Sequence, residues 1–325
     1  MTTEPTTPSP VGVTCHVLDV DDLGPDGLAT VLALAERDPA TLHRSLDGRG
    51  VALVFEKPSA RTRNSSELAV VALGGHPVYI QGAEVGLDTR ETAEDVARTL
   101  ACYHRVVCAR VMDHASLVRM AAALDAADVP VPVVNLLSDR AHPCQALADL
   151  VTLRQRFGVE GVRRRTLAYI GDANNVWRSL ALAASMAGIP TRVASPGGYG
   201  PDESDIALIR SFGGDLAVTD DPAEAADGAD ALYTDVWTSM GQEDEAAARR
   251  AAFAGFCIDG ALLSRASPDA VVMHCLPAHR GEEISAGVVD GPHSVVWQQA
   301  ANRLHAMRGL LAWVTADAHG AGGAG

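Results

Sequence analysis

Short runs of apolar, β-branched residues alternate along this chain with longer stretches of helical period. In the first half the runs are Val51–Phe55, Pro77–Ile80, Val106–Arg110 and Val131–Asn135. Helical patterns at Arg61–Leu73, Glu91–Tyr103 and Ala115–Ala126 lie between them. In the second half the runs are Thr166–Ile170, Thr191–Ala194, Ala217–Thr219, Ala231–Thr234 and Ala270–His274. Helical patterns at Trp177–Ala187, Glu203–Phe212 and Pro222–Ala226 alternate with these. The runs do not switch between apolar and polar at every second residue, as strands with one wet face would. They read as strands buried on both sides, in parallel sheets with helices on both faces. Two such series predict an α/β protein of two domains. The boundary falls in a helix, His142–Phe157, with Pro143 at an early position where its missing N–H is harmless. A last helix, Val295–Val314, carries Val296, Ala300, Leu304, Met307 and Leu311 on one stripe and is long enough to return to the first domain. The expected division is residues 1–149, then 150–294, with 295–325 packing back on the first domain. Two interdomain helices would join the halves.

Length agrees with this division, since 325 residues exceed the roughly 100 to 200 of one domain. A chain this size, 47% hydrophobic, buries a large core and needs neither disulfides nor a structural metal. The six cysteines, Cys15, Cys102, Cys108, Cys144, Cys257 and Cys275, show no CxxC spacing. That usage fits a reducing, cytoplasmic setting without a zinc framework. The net charge of −15 argues against nucleic acid and anionic membranes as partners. No apolar run nears the roughly 18 residues of a membrane span, and Met1–Pro10 lacks the basic and apolar regions of a signal peptide. The Gly/Ala-rich Ala318–Gly325 is expected to fray. Lys57 is the only lysine, which coding bias toward arginine explains.

Ligands of open α/β sheets sit beyond the carboxyl ends of the strands, and four polar clusters occupy such positions. After Val51–Phe55 comes Glu56-Lys57-Pro58-Ser59-Ala60-Arg61-Thr62-Arg63, leading into a helix. Ser59 suits the N-cap, and free N–H groups, two hydroxyls and arginine beside it suit a dianion. An ordinary capped helix with exposed arginines would look similar. Arg110 ends the strand Val106–Arg110. His142-Pro143-Cys144-Gln145 opens the boundary helix, and residues 142 and 145 share one of its faces. Ile170-Gly171-Asp172-Ala173-Asn174-Asn175 follows another strand; it is not GxGxxG, so a dinucleotide cofactor is disfavoured. Its asparagines suit a carboxylate, or merely a turn. Asp235-Val236-Trp237-Thr238-Ser239-Met240-Gly241 and His274-Cys275-Leu276-Pro277 follow the last two strands.

FEKPSARTR followed by HPCQALADL resembles the carbamoyl-phosphate-binding half of the aspartate/ornithine transcarbamoylase family. Ser-Met-Gly and His-Cys-Leu-Pro resemble its ornithine-specific branch. The likeness runs from about Val17 to Val314, and it is specific because four motifs occur in order. It implies carbamoyl transfer from carbamoyl phosphate to ornithine, with no cofactor and no metal. It implies that Ser59, the Ala60 amide, Arg61, Thr62, Arg110, His142, Gln145 and Arg303 hold the donor. Asn175, Asp235, Ser239, Met240, Cys275 and Leu276 would hold the acceptor. Arg61, Arg110, His142, Cys275 and Arg303 are the expected catalytic group. Arg63 is also expected to join the arginines that converge on the cleft, a local basic pocket in an acidic protein. A homotrimer, with Gln81–Leu87 reaching a neighbour's site, is implied too.

Three positions depart from the family pattern. Ala60 stands where threonine is usual, Gly86 falls at a usual glutamine, and Ala301 replaces a usual glutamate near Arg303. They leave two other readings open: a transcarbamoylase for a shorter diamino acid, and a weakly active ligand-binding paralogue.

Overall fold

The computed structural model describes residues 15–42, 44–239 and 243–316. The chain forms two parallel sheets. The first has the order β2-β1-β3-β4, with β1 Gly50–Phe55, β2 His76–Gln81, β3 His104–Arg110 and β4 Val133–Leu137. The second has the order β7-β6-β5-β8-β9, with β5 Leu167–Ile170, β6 Thr191–Ala194, β7 Leu216–Thr219, β8 Ala231–Thr234 and β9 Val271–His274. These nine strands were legible as apolar runs; burial on both faces leaves no polar alternation in the inner strands, while the edge strands β2 and β7 are mostly exposed or half-buried. Strand β4 starts two residues later than its apolar run predicts. Pro130 and Pro132 supply no N–H to a ladder, so pairing with β3 begins at Val133.

Each sheet is covered on both sides. Val51, Leu53, Val106 and Cys108 face one apolar cluster, and Ala52, Val54, Val107 and Ala109 face another. In the second sheet Tyr169 and Tyr233 stack at 5.5 Å on one face, while Ile170 and Leu232 meet Phe253 and Ile258 on the other. One strong helix, Gly24–Glu36, was not anticipated. Its signal was present, since Leu28, Val31, Leu32 and Ala35 fall at i, i+3, i+4 and i+7, and Pro25 sits in its first turn.

The helices Pro143–Phe157 and Val296–Ala316 pack against each other, and the latter also packs on Gly24–Glu36 and Ala60–Ala72. Gly309 permits the close approach: a Cβ there would lie 2.7 Å from Val31 O and Ala35 N. Buried Arg308 donates to Ala35 O at 2.9 Å and Arg37 O at 2.8 Å, satisfying carbonyls left over at the helix end. A triad ties the amino-terminal segment to the second sheet's helices, with buried Arg178 between buried Asp19 and half-buried Asp205. The segment expected as a loop, Gln81–Leu87, instead ends β2 and makes one helical turn, Gly82–Val85, which Gly86 closes at φ 61°. Glycine is favoured there because other residues are strained at positive φ. Met1–Pro10, Met240, Gly241 and Ala318–Gly325 lie outside the described residues.

Candidate active site

Both sheets reverse their strand order at one point, between β1 and β3 in the first and between β5 and β8 in the second. Crevices at such points are where ligands bind. Here the two carboxyl ends face one cleft of about 1210 Å³. Ser59, Ala60, Arg61, Thr62, Arg110, His142, Gln145, Asn175, Asp235, Ser239, Cys275, Leu276 and Arg303 all line it.

On the first-sheet side, Ser59 caps the helix Ala60–Ala72, its Oγ accepting the Thr62 N–H at 3.3 Å. Arg303 arrives from the last helix. Its Nη1 donates to Gln145 Oε1 and lies 3.4 Å from His142 Nε2, and its Nη2 is 3.5 Å from Thr62 Oγ1. All three neighbours are neutral side chains. Burial, then the charges of Arg303 and Arg61, pulls Arg110 down to about 10, which leaves it protonated at neutral pH. Burial, then Arg303 and Arg110, pushes His142 well below the ordinary imidazole range, so its ring is neutral. The buried Nε of Arg110, Nε of Arg303 and Nδ1 of His142 have no protein partner. Cations packed this closely, with unpaired N–H groups, suit an anion with several oxygens.

Arg63 does not join them. Its guanidinium pairs with Glu67 at 2.8 Å and lies 3.7 Å over the Tyr79 ring, away from the cleft. The cause is helical geometry: residues two apart point to different faces. Ala301 is exposed on the outer side of the last helix, so a glutamate there would not reach into the cleft.

On the second-sheet side, buried Asp235 ends β8. Its Oδ1 accepts from Cys275 Sγ at 2.9 Å and Val236 N at 2.8 Å, and its Oδ2 accepts from Asn174 Nδ2 at 3.1 Å. Burial and the adjoining Asp235 raise the Cys275 thiol well above its ordinary range, so it is a neutral donor rather than a thiolate. Leu276 has φ 60°, and its N–H is fixed by His274 Nδ1 at 2.8 Å. His274 in turn meets Glu283 at 3.1 Å. Asn175 donates to Ser138 O at 2.6 Å, which ties the start of this helix to the loop after β4.

Of the further lining residues, Asn174 was read only as one of a pair suited to a carboxylate or a turn, and Arg249 was not read at all. Asn174 caps the helix Asn175–Met186 and also orients Asp235; its adjacency to Asn175 was the available signal. Arg249 links the Asp172 carboxylate to Trp237 O and lies 4.8 Å from the Tyr199 ring. Little in the local sequence marks Arg249, because Asp172, Tyr199 and Trp237 come from three distant segments. Burial lifts Asp172 to about 6, with Asp235 nearby adding to the rise and Arg249 opposing it.

The matches to known proteins fall in two consecutive stretches of the chain. Residues 15–155 match the family model described as aspartate/ornithine carbamoyltransferase, carbamoyl-P binding domain. Residues 163–314 match the one described as the Asp/Orn binding domain of the same family. An ornithine carbamoyltransferase of Acidothermus cellulolyticus is 50% identical over 315 residues, covering 94% of this chain and 98% of that protein. The crystal structure of ornithine carbamoyltransferase from Thermus thermophilus superposes with a TM-score of 0.82 at 43% identity, covering 93% of this chain and 99% of the other. The enzyme from Pyrococcus furiosus gives 0.85 at 42% identity, covering 93% and 97%. With both domain models matched in order and half the residues shared with a full-length relative, the chain belongs to the aspartate/ornithine carbamoyltransferase family.

Proposed function

We propose that this protein transfers the carbamoyl group of carbamoyl phosphate to the side-chain amine of L-ornithine, giving L-citrulline and phosphate. One observation carries the reading: a cationic cluster and an Asp235–Cys275 pair face each other across one cleft. The names of the relatives, ornithine carbamoyltransferases at about half identity, support the choice of acceptor.

Residues 1–149 would bind the donor and residues 150–294 the acceptor, with the last helix serving the first half. Ser59, the Ala60 and Thr62 amides and Arg61 would hold the phosphate at the helix N-terminus. Arg61, Arg110 and His142, assisted by Thr62, would stabilise the oxyanion as the amine adds to the carbamoyl carbon, with Arg303 near the carbamoyl group. A single well-placed donor of this kind is worth about 3 to 4 kcal/mol. Gln145 would accept from the carbamoyl amide. Holding the two reactants together can supply about 7 to 11 kcal/mol. The donor is already activated, so the chemistry requires no covalent nucleophile, metal or redox cofactor. Collapse of the adduct breaks the C–O bond and releases phosphate, and the added nitrogen loses a proton.

An alkylammonium of pKa near 10.4 is about one part in a thousand neutral at pH 7, so the site must select the free amine. Asp235 would take the α-ammonium, Asn175 and Ser239 the carboxylate, and Cys275 with the Leu276 carbonyl would orient the reacting amine. Met240 belongs to the same proposed group and lies outside the described residues. A homotrimer in the cytoplasm, serving arginine metabolism, completes the proposal; one relative, from Pyrococcus furiosus, is named anabolic.

The test is turnover of carbamoyl phosphate with ornithine, 2,4-diaminobutyrate, 2,3-diaminopropionate, putrescine and aspartate, reading the ureido product. Ornithine is expected to be fastest. Faster turnover of another amine overturns the acceptor assignment, and no product with any of them overturns the enzymatic reading.

A further inference from the structure

The two interdomain helices each carry a pair of polar residues one turn apart, and the pairs face each other in the core. Gln145 and Asp149 lie on Pro143–Phe157, and Gln299 and Arg303 on Val296–Ala316. Four side chains of this kind, all 5% exposed or less, form a chain of hydrogen bonds that runs to one oxygen. Gln145 Nε2 donates to Asp149 Oδ1 at 2.7 Å, and Gln299 Nε2 donates to the same oxygen at 2.7 Å. Each glutamine then turns its carbonyl outward. Gln145 Oε1 accepts from Arg303, and Gln299 Oε1 accepts the His274 N–H at 2.9 Å.

The direction of these bonds is dictated from the centre. Both glutamines meet the same oxygen, Oδ1, which accepts two bonds when any proton is carried on Oδ2, so both NH2 groups point to Asp149. With those ends fixed, the outward ends can only be acceptors. One holds a guanidinium whose other hydrogen-bonding neighbours, His142 and Thr62, are neutral. The other holds the last residue of β9, next to Cys275. An apolar residue at 149 would leave two buried NH2 groups without an acceptor, and the amides could then flip.

We propose that Asp149 is a positioning residue that orders both halves of the cleft at once, setting the amide orientation of Gln145 and Gln299 and through them the placement of Arg303 and of the His274–Cys275 turn. The inference rests on the donor and acceptor sides assigned under Proposed function. It adds a physical link between them that runs through the core rather than through either substrate. Burial lifts the Asp149 carboxyl to about 7, against the pull of both glutamines.

Three variants test this: Asp149→Ala, Asp149→Asn and Gln299→Ala. Asp149→Ala removes the shared acceptor and is expected to lower kcat at least tenfold and raise KM for both substrates at least threefold. Asp149→Asn keeps an acceptor oxygen for both glutamines, so kcat and both KM values should stay within threefold of the parent. Gln299→Ala severs one arm only; KM for ornithine should rise at least fivefold, with KM for carbamoyl phosphate within twofold. A purely structural role would change the folded fraction and leave KM unmoved, and that result for folded Asp149→Ala overturns the proposal. So does Asp149→Asn being as impaired as Asp149→Ala. Should Asp149→Ala fail to fold, Gln299→Ala decides, and equal shifts in the two KM values refute the one-armed link. If the parent does not turn over ornithine, the acceptor assignment falls, and calorimetric binding of carbamoyl phosphate reads the donor arm instead. There Asp149→Ala should bind at least threefold more weakly and Gln299→Ala equally well; unchanged binding by Asp149→Ala overturns the link.

Discussion

Replacing Asp149 by asparagine should make the protein more stable, by an amount that grows from about pH 4 and is complete above about pH 7. The carboxyl is fully buried, and burial, the largest influence on it, raises it from 3.8 to about 7. The folded protein therefore holds this proton more tightly than the unfolded chain. Below about pH 4 the group is protonated in both states and costs nothing. Between about pH 4 and 7 the unfolded chain releases the proton while the folded protein keeps it, so stability falls as pH rises. Above about 7 the loss levels off. At about 1.4 kcal/mol for each tenfold difference in proton affinity, the full loss is about 4 kcal/mol. Asparagine keeps the acceptor oxygen and cannot ionise. The variant should match the parent near pH 4.5 to within about 1 kcal/mol and exceed it by about 4 kcal/mol at pH 8. Unfolding entropy of about 2 cal/mol/K per residue makes that a gain of about 6 °C in Tm for this chain length. Urea unfolding and calorimetry across that pH range measure it. A stability difference that does not change with pH would refute the account of Asp149 as a buried, titrating carboxyl.

Other outcomes follow from the same geometry. Arg61→Ala removes a charged donor at the phosphate end, and losing such a bond costs about 1.5 to 3 kcal/mol; kcat in the citrulline assay should fall at least tenfold. Ser59→Ala deletes the cap on the Thr62 N–H, so chemical denaturation should show a loss of about 1 kcal/mol, with KM for carbamoyl phosphate raised. Arg249→Met strips the Asp172 carboxylate of its buried partner; stability should drop by about 3 to 5 kcal/mol, and kinetics should show KM for ornithine rising more than KM for carbamoyl phosphate, because the Trp237 carbonyl loses its anchor. Gly309→Ala forces a Cβ against the backbone of the Gly24–Glu36 helix, and calorimetry should show about 1 to 3 kcal/mol of overpacking.

The layered architecture could be read from the chain alone, and so could most of the residues that line the cleft. Strands buried on both faces must be apolar throughout, so the inner strands β1, β3, β5, β6 and β8 stood out as apolar runs, while the edge strands β2 and β7, more exposed, were marked by β-branched residues and spacing, and the chain order already implied crossover helices. Cleft residues were visible because a parallel sheet presents its ligands after the carboxyl ends of strands, so Ser59, Arg110, Asp235 and Cys275 announced themselves by position. Arg303 came from family likeness alone; nothing in a long helix marks one buried arginine among its turns. Only the tertiary structure decided which charges meet. It turned Arg63 out toward Glu67 and Tyr79, brought Arg249 to Asp172, and left Ala301 on the outer face. It also assembled Gln145, Asp149, Gln299 and His274 into one hydrogen-bonded chain. The physical reason is range. Strand and helix periods act over a few residues, whereas these partners lie 150 positions apart in the case of Asp149 and Gln299. Such pairs exist only once two helices have packed and each buried polar group has to find an acceptor.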